Sequence, residues 1–452
     1  MATLTVTEKS QKLRAAVKLL NEASEQVIKA WEADESSSAV DGGGIAVPSQ
    51  ELYEGRRLVL GTVGVFLELV QEPQARLMEM THEFYEARAL QIAAEARIPD
   101  LLAEADLKVG MSIEELSQKT GVKNHKLSRV LRMLCSVHIF QEISEGFFAN
   151  NHVSQVLVKN DPLRAFVLAL GYDIYTASVK FPQVLFDPIK TQAETDSVTA
   201  FQDAHNTTLT RWDWLEQPEI LSDGTSRPRK ELANFTMAML GGGRVMGPPL
   251  YTDFPWADLG HSTIVDVGGG IGGMSLDLAK RYPDLSFIIQ DREPVLKQAH
   301  AIWSKELPPA IQTERVRFVV HNFFNENPIK NADIYHMRYI LHDWSDDDCV
   351  AILSAIRPAM GPNSRVLISD QVMNTTFGTA ALKSAPAPLP ANYGYGHRFQ
   401  NLRDLNMMCL FNGRERTADE FAGLAARSGL KVVKIWEVRG MVSITEMKLA
   451  DP

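Results

Sequence analysis

The chain has 452 residues, 45% of them hydrophobic and 23% charged, and a formal net charge of −10. That length fits two or three folding units, and the mild acidity argues against a general binder of nucleic acid or anionic membrane, both of which want a basic surface. The start, MATLTVTEKSQK, has no basic stretch followed by an apolar core, no apolar run reaches membrane-spanning length, and Cys135, Cys349 and Cys409 share no CxxC spacing. The expectation is a soluble cytoplasmic protein with no membrane partner, no disulfide framework and no zinc site.

Residues 8–32 place Leu13, Val17, Leu20, Ala23, Val27 and Trp31 at helical spacing, which predicts an amphipathic helix. ADESSSAVDGGGIAVPS (33–49) follows as a linker or surface loop, closing a first segment at 1–49. Residues 50–250 read as mainly helical, with periodic apolar positions through 86–105. Inside this stretch, 112–151 predicts two short helices about a Gly turn, then a hairpin pivoting on Glu145 and Gly146, with a capping pattern from Ser112 to Glu115. Helix-turn-helix plus hairpin is a winged-helix outline, which raises DNA binding as one reading. His125, Lys126, Arg129 and Arg132 on its second helix are interleaved with leucines, and no wider basic patch accompanies them, so the other reading, no nucleic-acid partner, is preferred.

From about 262 the texture changes. TIVDVGG, LSFIIQD, RVRFVV, ADIYHMR and RVLISDQV are short β-branched runs, and helical patterns separate most of them. That alternation predicts an α/β fold with a doubly wound, mostly parallel sheet over 251–452. KVVKIWEV and MVSITEMKL predict a terminal antiparallel hairpin, and the Pro/Ala/Gly-rich insertion 374–399 reads as a lid or an irregular surface loop.

VDVGGGIGGMSLDLA ends a strand at Asp266 and opens a helix through glycines that permit close backbone approach to a ligand. Its literal GxGxxG (Gly268, Gly270, Gly273) also admits a nicotinamide-binding Rossmann reading. The next strand ends in Asp291, where an acid can accept both ribose hydroxyls of an adenosine. In YILHDWSDDD, Ser345 and the three aspartates predict a helix cap, and His342 stands where the preceding strand ends. No HExxH or carboxylate cluster suggests a metal. Among other histidines, His205 lies in an aromatic-rich segment, while His152, His336 and His397 have no partner pattern.

VDVGGGIGG, the strand tip at Asp291, MRYILHDWSDDD and FNGRERT (411–417) stand in an order and spacing that resemble the class I S-adenosylmethionine-dependent O-methyltransferases of the caffeic-acid and flavonoid type, in the form found in fungal secondary metabolism. The resemblance implies a Rossmann-like methyltransferase sheet in a catalytic domain at 251–452. It also implies an N-terminal, mainly helical dimerisation domain at 50–250 containing the winged helix, and a homodimer. Gly268, Gly270 and Gly272 would hold the amino-acid end of S-adenosylmethionine and Asp291 its ribose, with Asp266 also a cofactor-binding residue. Asn322 and Phe323 fall beside adenine, where the family usually has an Asp and an apolar residue. Arg338 stands where plant members commonly carry Lys, as a carbonyl or cofactor contact. His342 matches the general base, flanked by Asp370 and Glu415. Phe235, Met239, Met408 and Asn412 match pocket-lining positions for a small aromatic or polyketide-like substrate.

Methyl transfer from a sulfonium demands in-line alignment and removal of a hydroxyl proton, for which a neutral imidazole suits a phenol. Carboxylates beside that imidazole fix its tautomer and stabilise the imidazolium. Asp370 is one methylene shorter than the family's Glu, so Glu415 is the better-placed partner. The alternative enzyme reading is a methyltransferase fold that retains its cofactor and catalyses a pericyclic or dehydration step.

Overall fold

The computed structural model describes residues 4–37 and 47–450. The middle of the expected linker, 38–46, lies outside the described residues; its beginning continues the first helix, and Ser49 caps the second by accepting the Leu52 amide at 3.1 Å. By its contacts the chain forms two compact units. One is Met1–Gln71 with Pro188–Thr199 and Gly243–Pro452, and the other is Glu72–Asp187 with Ala200–Gly242. This division does not fall at the expected boundaries of 49/50 and 250/251.

In the first unit, α1 (Val6–Ser37) is amphipathic, but its buried stripe is Ala16, Ala23, Val27 and Ala30. Val17 and Trp31, expected on that stripe, are exposed. The reason is close packing: a Cβ at Gly55 of α2 (Gln50–Val70) would come 2.9 Å from Val27 Cγ2, so small residues line the seam. The insertion 374–399 is irregular, yet it does not lie free on the surface. Its Leu389 and Tyr393 are buried in one cluster with Ala16, Ala23, Leu58 and Val65. The Tyr393 hydroxyl donates to Glu54, and the Arg57 guanidinium lies 3.6 Å from the Tyr393 ring centroid. Any Cβ at Gly61 would approach Leu389 Cδ1 to 2.8 Å. Glycine in mid-helix costs about 1 kcal/mol relative to alanine, and here it admits the strap.

The second unit holds the winged helix: β1 (Met111–Ser112), α3 (Ile113–Thr120), α4 (Asn124–Ser136), β2 (Phe140–Ser144) and β3 (Phe147–Asn150), with sheet order β1-β3-β2. Ser112 accepts the Glu115 amide, and Gly121 (φ +73) ends α3. Leu127, Leu131 and Leu134 of α4 are buried, and Arg132 is tied to Glu142 at 3.1 Å. Upstream, the periodic run 86–105 is not one helix. Phe84–Glu95 and Ile98–Leu102 are separated at Arg97, which is left-handed at φ 51, and Pro99 opens the second helix because it cannot donate to a continuing one. A long helix, α5 (Lys230–Asp253), carries the chain from this unit into the first.

The remainder is a seven-stranded sheet. Its parallel part is built from β4 (Thr263–Val267), α6 (Gly273–Arg281), β5 (Ser286–Asp291), α7 (Glu293–Glu306), β6 (Val316–Val320), β7 (Ile334–Arg338), α8 (Asp346–Ile356) and β8 (Arg365–Asp370). A short strand β9 (Val372–Met373), α9 (Arg398–Phe411), a short strand β10 (Arg416–Thr417) and α10 (Ala418–Arg427) lead to the terminal hairpin, β11 (Leu430–Glu437) and β12 (Ser443–Leu449). The order is β11-β12-β8-β7-β4-β5-β6, with β12 alone running antiparallel, both to β8 and to β11. Alternation along each strand supplies two cores. Ile264, Phe287, Ile289 and Leu367 pack under α6 and α7, while Val265, Ile288, Met337 and Ile368 pack under α8 and α10. Among the described residues no helix is long and apolar enough to cross a membrane.

Candidate active site

The chain lays β4, β5 and β6 outward in one direction, then returns to place β7 on the other side of β4. The carboxyl ends of β4 and β7 therefore border a crevice at a topological switch point, where α/β sheets bind ligands. At the first of these ends, Gly268, Gly270 and Gly272 have φ of 68, 61 and 71°. A Cβ at Gly268 would strike Ile340 Cδ1 at 2.7 Å, and one at Gly272 would strike Trp303 Nε1 at 2.8 Å. A Cβ at Gly270 meets nothing within 4 Å, so the loop is packed on one side and bare on the other.

Asp266, buried beneath this loop, accepts the Ser275 hydroxyl at 2.6 Å and faces His336 Nδ1 at 3.6 Å. Burial opposes its charge, but His336 and Ser275 outweigh it and hold the carboxyl below its ordinary value. His336, which had no partner pattern in sequence, also bonds Ser369 Oγ at 2.8 Å. At the tip of β5, Asp291 accepts the Gly270 amide at 2.9 Å, and burial pushes its carboxyl up.

β7 ends at Arg338, and Tyr339 then adopts a positive φ of 56°, a conformation that costs a non-glycine residue of order 1–3 kcal/mol. The turn leads into a single 3₁₀ turn, Leu341–Asp343, before Ser345 caps α8. His342 is buried in that turn. Its Nδ1 lies 3.0 Å from Glu415 Oε1 and its Nε2 lies 3.5 Å from Asp343 Oδ1. The ring stacks on Tyr339, with centroids 5.5 Å apart.

Glu415 reaches the imidazole because its neighbours are used elsewhere. Extended backbone alternates side chains, so Arg414 and Arg416 diverge from Glu415 and both engage Asp346. Arg416 also donates to the carbonyls of Leu341 at 2.6 Å and Trp344 at 2.7 Å, clasping the backbone around His342. Asp370 behaves differently from expectation. One oxygen accepts the Tyr339 amide at 2.8 Å, and the other has no partner among the described residues. Asp370 thus fixes the Tyr339 turn and acts on His342 through its charge rather than through a bond to the ring.

Burial alone would push the His342 imidazole down, but the charges of Asp343, Glu415 and Asp370 outweigh it and lift it to about 9. Burial likewise opposes the Glu415 charge, and His342 with Arg403 keeps that carboxyl below its ordinary value. The raised histidine contributes stability that is full below its ordinary 6.5 and is lost as pH rises through about 9. A base must be neutral to accept a proton, so kcat/KM is expected to rise with pH toward that value. Glu415→Gln removes one of the charges that hold the proton, and the rising limb should move to lower pH. A pH–rate profile unchanged by the substitution would separate Glu415 from the histidine.

Of the other expected residues, Phe323 is half-buried beside Gly268, whereas Asn322 is exposed and its side chain accepts the Phe324 amide in a local turn. Met408 is half-buried on α9. Asn412 caps α9, and its amide nitrogen donates to the carbonyls of Thr195 and Val198, which commits that nitrogen to holding the 188–199 segment. Phe235 and Met239 belong to the second compact unit, where Phe235 packs edge-on against Trp212 and Met239 is exposed. His205 is likewise there, packed with tilted rings against both Phe201 and Trp214. Sequence reasoning missed four participants: Tyr339, Asp343, Arg403 and Gly413. Arg403 of α9 lies 3.7 Å from Glu415 and 5.2 Å from the Tyr339 ring centroid. Among the described residues no group of three or more His, Cys, Asp or Glu could hold a metal ion.

The O-methyltransferase domain family matches residues 225–431, and the O-methyltransferase dimerisation domain matches residues 78–160. The chain is 45% identical to O-methyltransferase gedA of Aspergillus terreus, over 97% of this chain and 96% of that one. Among solved structures, CalO1, a methyltransferase in calicheamicin biosynthesis in its SAH-bound form, is 26% identical with a TM-score of 0.64, covering 83% of this chain and 98% of that one. A structure described as a pericyclic reaction enzyme has a TM-score of 0.66 at 23% identity, covering 87% and 94%, and shows a shared fold.

Proposed function

The chain belongs to the O-methyltransferase family, and from that premise we propose that it moves the methyl group of S-adenosylmethionine to a phenolic or enolic hydroxyl of a small aromatic or polyketide-like secondary metabolite. The buried His342–Glu415 pair, beside the mouth of the switch-point crevice, is the observation that carries this reading. The residues present fit the cofactor. The bare face at Gly270 leaves room for its amino-acid end, Asp266 and Asp291 offer carboxylates below and beside the loop, and Phe323 supplies an apolar edge for adenine. The cofactor, when bound, supplies a methyl group on a sulfonium.

His342 takes the hydroxyl proton as the new O–C bond forms. Glu415 keeps the other ring nitrogen as a donor and stabilises the imidazolium. Arg416 holds the carbonyls on either side so that the ring cannot drift. Asp343 sits close to the nitrogen that would face the substrate, which suits a second acceptor for a hydroxyl. The matched dimerisation domain supports a homodimer.

Incubation with hydroxylated aromatic substrates and methyl-labelled cofactor tests the reading, and label should reach the product oxygen. A second reading, a pericyclic or dehydration step with the methyl group retained, is favoured by one observation: Asp370 does not bond the histidine as a triad-like acid would. Conversion of substrate without transfer of label would establish it instead. Asp291→Ala should weaken calorimetric binding of S-adenosylhomocysteine by roughly ten- to a hundred-fold, the worth of a charge-assisted hydrogen bond. Unchanged affinity would place the ribose elsewhere.

A further inference from the structure

Three carboxylates converge on one buried imidazole. Asp343 shares its turn, Asp370 stands at the tip of β8, and Glu415 stands just before β10. Two of them keep a buried oxygen, Asp370 Oδ2 and Glu415 Oε2, with no hydrogen-bond partner among the described residues. Negative charge gathered in this way holds a proton on the histidine, and a base that stays protonated cannot act. A compensating positive charge is needed, and it must not break the bond from His342 to Glu415.

Arg403 on α9 meets both conditions. Its Nη2 lies 3.7 Å from Glu415 Oε1, too far to compete with the 3.0 Å bond between that oxygen and His342 Nδ1. The other contacts of the guanidinium carry no charge. Nη1 donates to Met246 Sδ at 3.2 Å, and the guanidinium carbon stands 5.2 Å from the Tyr339 ring centroid. The Tyr339 hydroxyl donates to the same sulfur at 3.4 Å. A thioether is a weak acceptor and the ring is neutral, so these contacts fix the place of the guanidinium without cancelling its charge. The remaining groups around the base are engaged elsewhere. Arg416 holds Asp346 and two carbonyls, and Asp404 accepts the Glu415 amide at 2.8 Å. Arg338 lies 5.4 Å from the Tyr339 ring centroid. The Cys349 thiol, pushed up by burial to about 12, donates to the Leu341 carbonyl at 3.2 Å.

Resting on the methyl-transfer reading above, we propose that Arg403 is a positioning residue for the base, the counter-charge that offsets Asp343, Asp370 and Glu415 so that the His342 imidazole is free to take the substrate proton. The guanidinium keeps Glu415 ionised, which preserves the bond that orients the ring. It also disfavours the imidazolium, which releases the proton to solvent between turnovers. Arg403 and Glu415 therefore drive the histidine in opposite directions, although they are neighbours. An arginine suits the task because it stays charged at every working pH, so the offset is constant.

The test follows the His342 signal by NMR titration of enzyme carrying isotope-labelled histidine and saturated with S-adenosylhomocysteine, with His342→Gln identifying the signal. The pH profile of kcat/KM is measured beside it, with methyl-labelled cofactor. The wild-type midpoint should fall at about 9. Arg403→Met should raise it by about one pH unit, the worth of a partly screened unit charge. At neutral pH its kcat/KM should fall by about tenfold, with the loss shrinking as pH rises. Arg403→Gln, a second neutral variant, should behave alike, and Arg403→Lys should keep the midpoint within about 0.3 units of the wild type. Glu415→Gln should move the midpoint the other way. A midpoint that stays in place in both neutral variants overturns the proposal. So does a lowered one, which would mean that Glu415 takes up the proton once the guanidinium is gone. A rate loss equal at every pH also overturns it, since that is what a merely structural arginine would give. If no hydroxylated aromatic acquires label in the wild type, the methyl-transfer reading itself fails. The titration midpoints still decide the role of Arg403 in that case.

Discussion

His342→Gln is expected to lower kcat by roughly a hundred- to ten-thousand-fold, the usual worth of a positioned general base. Glutamine approximates the reach of the imidazole and can still hydrogen-bond Glu415, but it cannot accept a proton near neutral pH. The effect should therefore fall on kcat and not on assembly of the site. Calorimetric affinity for S-adenosylhomocysteine should remain within about twofold of the parent. A residual alkaline rise in rate would reflect phenolate formed in solution, since a phenol ionises near pH 10. Full turnover in this variant would remove His342 from the mechanism.

Gly413→Ala is expected to damage the same site without touching any group that carries charge. Gly413 is not among the positive-φ glycines, so its backbone would accept alanine. The obstacle is space. A Cβ there would press into the His342 carbonyl oxygen and stand 3.0 Å from Asp343 Cα. Neither neighbour is a flexible side-chain tip, so the 3₁₀ turn itself has to move. Arg416 pins that turn at Leu341 and Trp344, which leaves little room for relief. Overpacking of this kind costs about 1–3 kcal/mol, and a displacement of 1 Å at the base can cost about a hundred-fold in rate. Thermal unfolding and kcat measured together should show a modest loss of stability and a severe loss of turnover. Normal turnover in the alanine variant would show that the turn yields, and that the glycine is no constraint on the base.

The parts of the molecule that were legible in the sequence are those governed by local periodicity. The parallel strands and the helices between them alternate cleanly because both faces of the sheet are covered, and the terminal hairpin closes through a connection, 438–442, that contains Arg439 and Gly440. The winged helix was legible from Ser112, Gly121 and Gly146, each of which has a local conformational duty. What escaped depends on distant partners. The buried face of α1 is set by how closely α2 can approach, a property of Gly55 and not of the α1 sequence. The break at Arg97 interrupts an apolar period that runs straight through it.

The same contrast holds at the site. His342, Glu415 and the glycine loop stand in recognisable local strings, so their roles could be assigned in advance as implications of a resemblance. Arg403 stands in none, and Tyr339 stands inside MRYILHDWSDDD without a residue type that marks its role. Arg403 reaches Glu415 from a helix on which only Met408 had been assigned a role, and the importance of Tyr339 rests on a backbone angle. Asp370 was visible, but its shorter reach made the Tyr339 amide its partner in place of the imidazole.

The strap at 374–399 bears on how this chain can be divided. The region matched by the O-methyltransferase domain begins at residue 225, yet Leu389 and Tyr393 of that region are roofed by α1 and α2 from the opposite end of the chain. What is recognised as a module by sequence is not what folds as one. Trimming to the matched region would strip an apolar lining from the strap and leave Tyr393 without the carboxylate of Glu54. The first 71 residues behave less as a preface to the enzyme than as its missing wall, and a chimera that swaps catalytic domains between relatives has to carry that wall with the strap that fits it.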